Sequence, residues 1–289
     1  MNRDAPVFRN LLIADSGKGH VEEMVRMLRD LPAFRQARLN LLHVVPEQSG
    51  ETVQEHWQRA GGLMAEAVQR LGLNPTDVNT IIRQGDAKQT VLKVADELDA
   101  DLIVMGSRGL GRLQSILGNS SSQYVFQLST RPMLLVRDDL YVRHLNRVMV
   151  TIDGTGVGDD ALKIACELVK EIPGGTLTGV HVSRQQLAPS RGGKTPADEV
   201  LEKAKQRARS FGVELKGVHR DGNDVGREVC AAAKEIEADL LVIASQDRRP
   251  LVAKALVDID RLLGTSVSDF IRVHAPAPVL LVREPERRA

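Results

Sequence analysis

Residues 100–107 of the chain read ADLIVMGS, and residues 238–245 read ADLLVIAS. Each stretch is a short apolar run that ends in small residues, which is typical of a strand buried on both faces of a parallel sheet. The two stretches are 138 positions apart, and Asp15 and His43 recur at the same spacing as Asp153 and His181. We therefore expect one domain to occur twice, at residues 1–140 and 145–289.

The spacing between the two copies changes once. Residues 118–137 match residues 264–283 without a gap at an offset of 146, so the second copy has gained eight residues after Ser245. At this place the first copy reads GSRGLGR from Gly106, whereas the second reads ASQDRRP from Ala244. The sequence thus predicts two similar domains that differ in one loop.

Length and composition limit the possible classes of protein. The 289 residues suit two domains of about 140 residues. The 39 Lys and Arg residues balance the 38 Asp and Glu residues, which disfavours general binding to nucleic acid or to anionic membranes. No apolar run approaches the roughly 20 residues of a membrane span, and the first ten residues lack the apolar core of a signal peptide. We expect a soluble, cytoplasmic protein without a membrane span.

Short apolar runs alternate with segments of helical periodicity, which is the pattern of βαβ units. Each copy is predicted to be a doubly wound, Rossmann-like α/β domain with a five-stranded parallel sheet flanked by four helices. The first copy has predicted strands at 8–14, 38–45, 79–83, 102–105 and 133–137, and helices at 21–31, 52–71, 88–98 and 120–128. The strands predicted for the second copy are 147–152, 176–182, 214–219, 240–244 and 279–283.

A glycine-rich loop follows the fourth predicted strand of the first copy. Gly106 and Gly109 come directly after the strand, and Gly118, Asn119 and Ser120 come directly before a helix. Glycines let backbone N–H groups approach a ligand, and a helix N-terminus adds unpaired donors and a positive dipole end. The side chains before the helix could cap it, donate to phosphate, or do both. The pattern favours a site for phosphates.

At these residues the chain resembles the universal stress protein family, in which a tandem of two such domains is a known arrangement. The resemblance covers nearly all of both copies, and it implies a fold like that of the adenine nucleotide alpha hydrolases. It rests on the first-strand aspartate, the second-strand His-Val pair, the turn before the third helix and the strand at residues 100–107. In the sequence these are Asp15 and Asp153, His43-Val44 and His181-Val182, and Gly85-Asp86 and Gly222-Asn223.

The loop departs from the family's ATP-binding pattern by one residue. That pattern has two residues between the first two glycines, nine before a third glycine, and then Ser or Thr. Gly106 and Gly109 match, but eight residues separate Gly109 from Gly118, and Asn119 stands at the hydroxyl position. Alternatively Asn119, which tolerates positive φ, takes the third glycine position and Ser120 supplies the hydroxyl. The internal repeat favours the first alignment, a loop shortened by one residue.

By position, the resemblance implies an adenine-nucleotide site in the first copy. Asp15 would meet the ribose or the adenine, and Val44 would contact the adenine through its backbone. The implied ligand is ATP, with ADP or AMP as alternatives and Mg²⁺ as an optional companion. Ile13, Met105 and Gly106 would line the nucleoside, and Arg108, Gly109, Gly118, Asn119 and Ser120 would surround the phosphates.

The second copy lacks the two leading glycines of this loop. Ala244 and Asp247 stand in their places, and Asp247 would bring negative charge close to phosphates, although Arg248 and Arg249 could offset it. We therefore expect that the second copy does not bind ATP as the first does.

Three functions stay open at this stage. The first is a stress-response regulatory protein that binds an adenine nucleotide without strong catalysis. The second is a slow ATP-hydrolysing enzyme, although no base or acidic metal pair is evident beyond Asp15 and Asp86. The third is a nucleotide-free scaffold that dimerises through an edge strand at 133–136 or 279–282. We expect the two copies to pack as an intramolecular pseudo-dimer, with a homodimer also open.

Overall fold

The computed structural model describes residues 7–14, 25–28, 31, 34, 36–46, 53–107, 121–137, 139–140, 142, 144–183, 195–245 and 266–283. The chain divides into two compact units, residues 1–141 and 142–289. None of the helices within these described ranges is long and apolar enough to cross a membrane.

In the first unit, the described residues form a parallel sheet of five strands in the order β3-β2-β1-β4-β5. A 3-10 turn at Pro75–Asp77 precedes β3, and residues 25–28 are also helical. The strands are β1 (Asn10–Ala14), β2 (Arg38–Val45), β3 (Val78–Gln84), β4 (Leu102–Ser107) and β5 (Met133–Arg137), and the helices are α1 (Val53–Arg70), α2 (Ala87–Glu97) and α3 (Ser121–Leu128).

The second unit repeats this arrangement, with five described parallel strands in the order β8-β7-β6-β9-β10. Both units therefore have the predicted α/β fold with a Rossmann-like sheet flanked by helices. The strands are β6 (Arg147–Thr151), β7 (Thr176–Ser183), β8 (Leu215–Asp221), β9 (Leu240–Ala244) and β10 (Val279–Val282), and the helices are α4 (Gly156–Lys170), α5 (Pro196–Ser210), α6 (Val225–Glu235) and α7 (Val267–His274).

The aspartate of the repeated ADL stretch binds the backbone at the start of the first strand in each unit. The Asp101 carboxylate accepts the N–H groups of Arg9 and Asn10 at 2.7 and 3.0 Å. In the second unit, Asp239 accepts those of Asn146 and Arg147 at 3.0 and 2.8 Å. The strand β1 begins at residue 10 and not at residue 8, as the apolar run had predicted; Phe8 is buried but precedes the strand.

Candidate functional site

The strand order of the first unit creates a switch point between β1 and β4. The chain runs from β1 outward to β2 and β3, then returns to β4 on the other side of β1 and continues to β5. The chain segments that follow β1 and β4 leave the sheet in opposite directions, so a crevice opens beyond the carboxyl ends of these two strands. Open parallel sheets bind their ligands in this crevice.

The last residue of β1 lies below the ends of the two strands beside it. Ala14 pairs with Leu42 of β2 and with Met105 of β4. From those partners β2 continues three residues to Val45, and β4 continues two residues to Ser107. At about 3.3 Å per residue, β2 extends about 10 Å and β4 about 7 Å beyond β1. These extensions form two sides of the crevice, and the end of β1 forms its base.

The backbone of Val44 faces this crevice. Gly85 donates its N–H to the Val45 carbonyl at 3.0 Å, so that carbonyl points towards β3. Carbonyls of successive strand residues point to opposite edges, and the N–H and C=O of Val44 therefore point towards β1. Because β1 ends opposite Leu42, none of its described residues lies opposite Val44. A donor and an acceptor are thus presented side by side above the end of β1.

The turn at residues 85–86 holds this edge in place. Gly85 has φ +146°, which L side chains rarely adopt, and an added Cβ would lie 3.1 Å from Thr90 Oγ1. The next residue, Asp86, caps α2 by accepting the N–H groups of Lys88 and Gln89 at 2.9 and 3.1 Å. The Gly-Asp pair therefore ties the end of β2 to the start of α2.

The structure brings four of the predicted site residues to this edge of the sheet. Ile13 and Met105 are buried beside the end of β1, whereas Val44 and Gly106 are half-buried. The register places Gly106 one residue beyond Met105, on the opposite side of β1 from Val44. The other predicted site residues lie outside the described part of the chain, namely Asp15, Arg108, Gly109, Gly118, Asn119 and Ser120.

Helix α3, which follows the glycine-rich loop, has an uncharged first turn. Ser121, Ser122 and Gln123 begin the helix, and no acidic residue lies in this described turn. The positive end of its dipole is therefore not offset by a carboxylate of its own, which favours an anion. On the same helix, the ring centroid of Tyr124 lies 5.8 Å from the Lys88 ammonium. Burial, together with the charge of Asp86, raises the pKa of Tyr124.

Arg137 is a charged residue at this edge that the sequence did not single out. It pairs with Ser107 in the register of β4 and β5. Its Nε and Nη2 donate to the two carboxylate oxygens of Asp139 at 2.9 and 2.6 Å. The bidentate pair balances the guanidinium charge, so we assign Arg137 a structural role. The signal that could have found it is the LLVR end shared by residues 134–137 and 280–283.

At the corresponding edge of the second unit, the repeated aspartate and histidine form local hydrogen bonds. The Asp153 carboxylate accepts the backbone N–H and the hydroxyl of Thr155 at 2.9 and 2.8 Å. Thr155 in turn caps α4 by accepting the Gly158 N–H at 3.1 Å. Nδ1 of His181 lies 2.7 Å from the Ile152 carbonyl, which ties β7 to the end of β6. The aspartate and the histidine that recur in both copies therefore have structural contacts here.

Each of the two units is a doubly wound α/β domain with a switch point at the carboxyl ends of its strands. The protein is therefore a tandem of two Rossmann-like domains. The model of the universal stress protein family matches residues 8–137 and, a second time, residues 144–283. The chain therefore belongs to the universal stress protein family and carries two of its domains.

Individual relatives agree with this assignment. A universal stress protein of Thermus aquaticus is 32% identical over 139 residues, which are 45% of this chain and 100% of that protein. One of Synechocystis is 34% identical over 135 residues, covering 45% of this chain and 86% of that protein. Among solved structures, a universal stress protein from Archaeoglobus fulgidus aligns over 99% of both chains with a TM-score of 0.75 and 22% identity. At that identity the structural match shows the fold.

Proposed function

We propose that the first unit binds an adenine nucleotide, ATP or its products ADP and AMP, and that the protein is a stress-response regulator without strong catalysis. The observation that carries this proposal is the backbone of Val44, which faces the switch-point crevice above the end of β1. Membership of the universal stress protein family supports the same ligand class.

The crevice offers what recognition of an adenine base requires. Adenine presents an amino donor beside a ring-nitrogen acceptor, and the N–H and C=O of one strand residue such as Val44 can bind both. Ile13 and Met105 supply apolar surroundings at the base of the crevice. Asp15 is the next residue after β1, where its carboxylate would accept ribose hydroxyls.

The phosphates would extend from the nucleoside towards Gly106 and α3. Gly106 has no side chain to obstruct a ligand that passes the end of β4, and the first turn of α3 is uncharged. The loop residues Gly109, Gly118, Asn119 and Ser120 would complete the phosphate site, and Arg108 would add positive charge. Mg²⁺, where present, would be held mainly by phosphate oxygens.

Strong ATP hydrolysis is not favoured by the residues that the structure describes around the crevice. A catalytic base must reach the attacking water with an oxygen that can accept its proton. Asp86 was a candidate for this role, but its Oδ1 accepts two backbone N–H groups as the cap of α2. We expect slow turnover at most.

Thermal unfolding with added nucleotide tests the proposal. The melting temperature of the wild type should rise with the concentration of ATP, ADP or AMP, and a hundredfold excess over Kd corresponds to about 2.7 kcal/mol of stabilisation. Gly109→Asp adds bulk and negative charge to the loop and should abolish the response. Asp247→Asn, at the equivalent position of the second copy, is the matched control and should keep it. A wild type that responds to no nucleotide would refute the proposal and favour a nucleotide-free scaffold.

A further inference from the structure

Two histidines lie side by side at the carboxyl ends of β7 and β8 in the second unit. His181 and His219 are opposite each other in the strand register, and their rings stack with centroids 6.1 Å apart and an interplanar angle of 23°. Two residues further along the same face, Ser183 lies opposite Asp221. The side chain of His219 is 29% exposed, so solvent reaches these four residues, which we call the histidine cluster.

A hydrogen bond determines which nitrogen of each imidazole carries the proton. Nδ1 of His181 lies 2.7 Å from the Ile152 carbonyl oxygen. Because a carbonyl oxygen only accepts, Nδ1 is the donor and Nε2 keeps its lone pair. Nε2 of His219 lies 2.8 Å from Ser183 Oγ and 3.3 Å from Asp221 Oδ1. A carboxylate also only accepts, which favours the proton on Nε2 of His219 and leaves the lone pair on Nδ1.

This pattern of hydrogen bonds is typical of histidines that bind a metal ion. A ligating imidazole uses one nitrogen for the ion and donates the N–H of the other to a carbonyl or a carboxylate, which orients the ring and raises its basicity. Metal–nitrogen bonds of about 2.0–2.1 Å place two ring centroids about 4.5–6.4 Å apart, depending on the angle at the metal. The 6.1 Å between the centroids of His181 and His219 lies within that range.

The charges around the histidine cluster also suit a cation. Asp221 supplies a carboxylate within the cluster, whereas the neighbouring cationic side chains are bound to carboxylates of their own. Arg220 lies on the opposite face of β8 and donates to Glu228 at 2.8 Å. Lys205, on the helix α5 that packs against β8, donates to Glu202 at 2.7 Å. A divalent cation at the two imidazoles would therefore meet a negative charge.

The first unit has a different set of residues at these four positions. In the matching register of β2 and β3, His43 lies opposite Ile82, and Val45 lies opposite Gln84. A single imidazole remains there, beside two aliphatic side chains and an amide. The histidine cluster therefore belongs to the second unit, and His43 is the matched control for His181.

We infer that the second unit binds a divalent transition-metal ion through His181 and His219. Among the described residues, no group of three or more His, Cys, Asp or Glu side chains is arranged to hold a metal ion. The two imidazoles are therefore the protein ligands, and water molecules complete the coordination. Asp221 is a positioning residue, because it holds the ring of His219 through Nε2.

The ligand type determines which ions this site selects. Imidazole nitrogen suits Cu²⁺, Ni²⁺ and Zn²⁺, and Cu²⁺ is bound most tightly in this series. Mg²⁺ prefers oxygen ligands and should not compete for the two imidazoles. The site is thereby distinct from any Mg²⁺ that accompanies a nucleotide in the first unit, and it does not depend on nucleotide binding.

Isothermal titration of the full-length, nucleotide-free chain with Cu²⁺ tests the inference. His181→Ala and His219→Ala should each weaken the tightest Cu²⁺ site at least about tenfold, and Asp221→Ala should weaken it about tenfold. His43→Ala should leave the site unchanged, and excess Mg²⁺ should not displace Cu²⁺. The electron paramagnetic resonance spectrum of the bound Cu²⁺ should show coupling to two imidazole nitrogens in the wild type and to one in either histidine variant.

Two results would overturn the inference. One is a tightest Cu²⁺ site that is unchanged in His181→Ala and His219→Ala, with both variants folded as judged by circular dichroism. The other is a site that His43→Ala weakens as much as they do. If the two variants did not fold, the imidazole nitrogen resonances of the wild type would be followed during titration with Zn²⁺. Nε2 of His181 and Nδ1 of His219 should shift, and shifts confined to other histidines would also refute the inference.

Discussion

Asn40 is completely buried in β2 and is hydrogen-bonded on both sides. Its amide group donates to Asn10 Oδ1 at 2.7 Å and to the Leu11 carbonyl at 3.1 Å. Its oxygen accepts from the Asn79 amide at 3.0 Å. The three asparagines thus connect β1, β2 and β3, and a shift of strand register would leave the buried Asn40 amide unpaired.

We expect Asn40→Leu to lower the free energy of unfolding by about 2 kcal/mol, because the half-buried Asn10 side chain and the Leu11 carbonyl both lose their donor. Thr178 holds the equivalent position in the second unit, and Thr178→Val is the matched control, with an expected loss of about 1 kcal/mol. Urea unfolding followed by circular dichroism measures both values. Equal losses for the two variants would show that the asparagine ladder adds no stability of its own.

Because the pKa of Asp101 is shifted in the folded protein, the free energy of unfolding should change with pH in a predictable direction. Burial raises the pKa of Asp101, while the N–H groups of Arg9 and Asn10 lower it. The folded state then binds a proton more readily than the unfolded state, so this group's contribution to stability falls as the pH rises through the raised pKa. The free energy of unfolding of the wild type, minus that of Asp101→Asn, should decrease as the pH rises above about 3.9, the ordinary pKa of an aspartate. An increase over that range would contradict this assignment.

At the scale of elements, the helix pair beside the site is built differently in the two units. Asp86 caps α2 and Asp224 caps α6, so these two residues hold equivalent positions in the two units. Two residues further on, Lys88 of the first unit is equivalent to Gly226 of the second. Lys88 reaches over the ring of Tyr124, whereas a Cβ on Gly226 would lie 2.8 Å from Cδ1 of Phe270. The second unit therefore needs glycine there for α6 to approach α7.

Gly226→Ala should consequently destabilise the second unit by about 1–3 kcal/mol, because the added methyl group overlaps the Phe270 ring. Lys88→Ala, at the matched position of α2, removes a half-buried cation–π contact and should cost about 1 kcal/mol or less. Thermal or urea unfolding compares the two. A Gly226→Ala variant as stable as the wild type would show that the ring moves aside freely.

Cys166 lies within α4 and should be chemically inert in the folded protein. Burial, with a smaller effect from the charge of Glu167, raises the pKa of the Cys166 thiol to about 12. Since the thiolate is the reactive form, a thiol reagent at about pH 8 should label Cys230, which is half-buried, and leave Cys166 unlabelled. In the Cys230→Ser variant, the remaining thiol of Cys166 should be labelled only after unfolding. Rapid labelling of Cys166 in that native variant would contradict the burial.

Most of the fold could be predicted from the sequence, because strands buried on both faces appear as continuous apolar runs. Every predicted strand begins and ends within two residues of the observed one. The start of β1 was wrong by two residues, because an apolar run shows which residues are buried and not where strand pairing begins, and Phe8 is buried outside the strand. The cap of α6 is Asp224, one residue beyond the predicted match of Asn223 with Asp86, because the second unit has an extra residue in that turn.

At the scale of the whole molecule, the duplication was visible in the sequence, whereas the difference in site chemistry was visible only in part. Comparison of the loops identified Gly106 in the first copy and Asp247 in the second. It could not show that Asp153 and His181 bind Thr155 and the Ile152 carbonyl, because these contacts depend on the folded structure.

One measurement tests the central claim, that the chain holds a single adenine nucleotide and holds it in the first unit. Mass spectrometry of freshly purified, denatured protein counts bound nucleotide per chain, and the count is repeated after incubation with ATP and removal of the unbound excess. We predict one equivalent of ATP, ADP or AMP in the wild type and in Asp247→Asn, and none in Gly109→Asp. No nucleotide in the wild type after incubation, two equivalents, or an unchanged count in Gly109→Asp would contradict the claim.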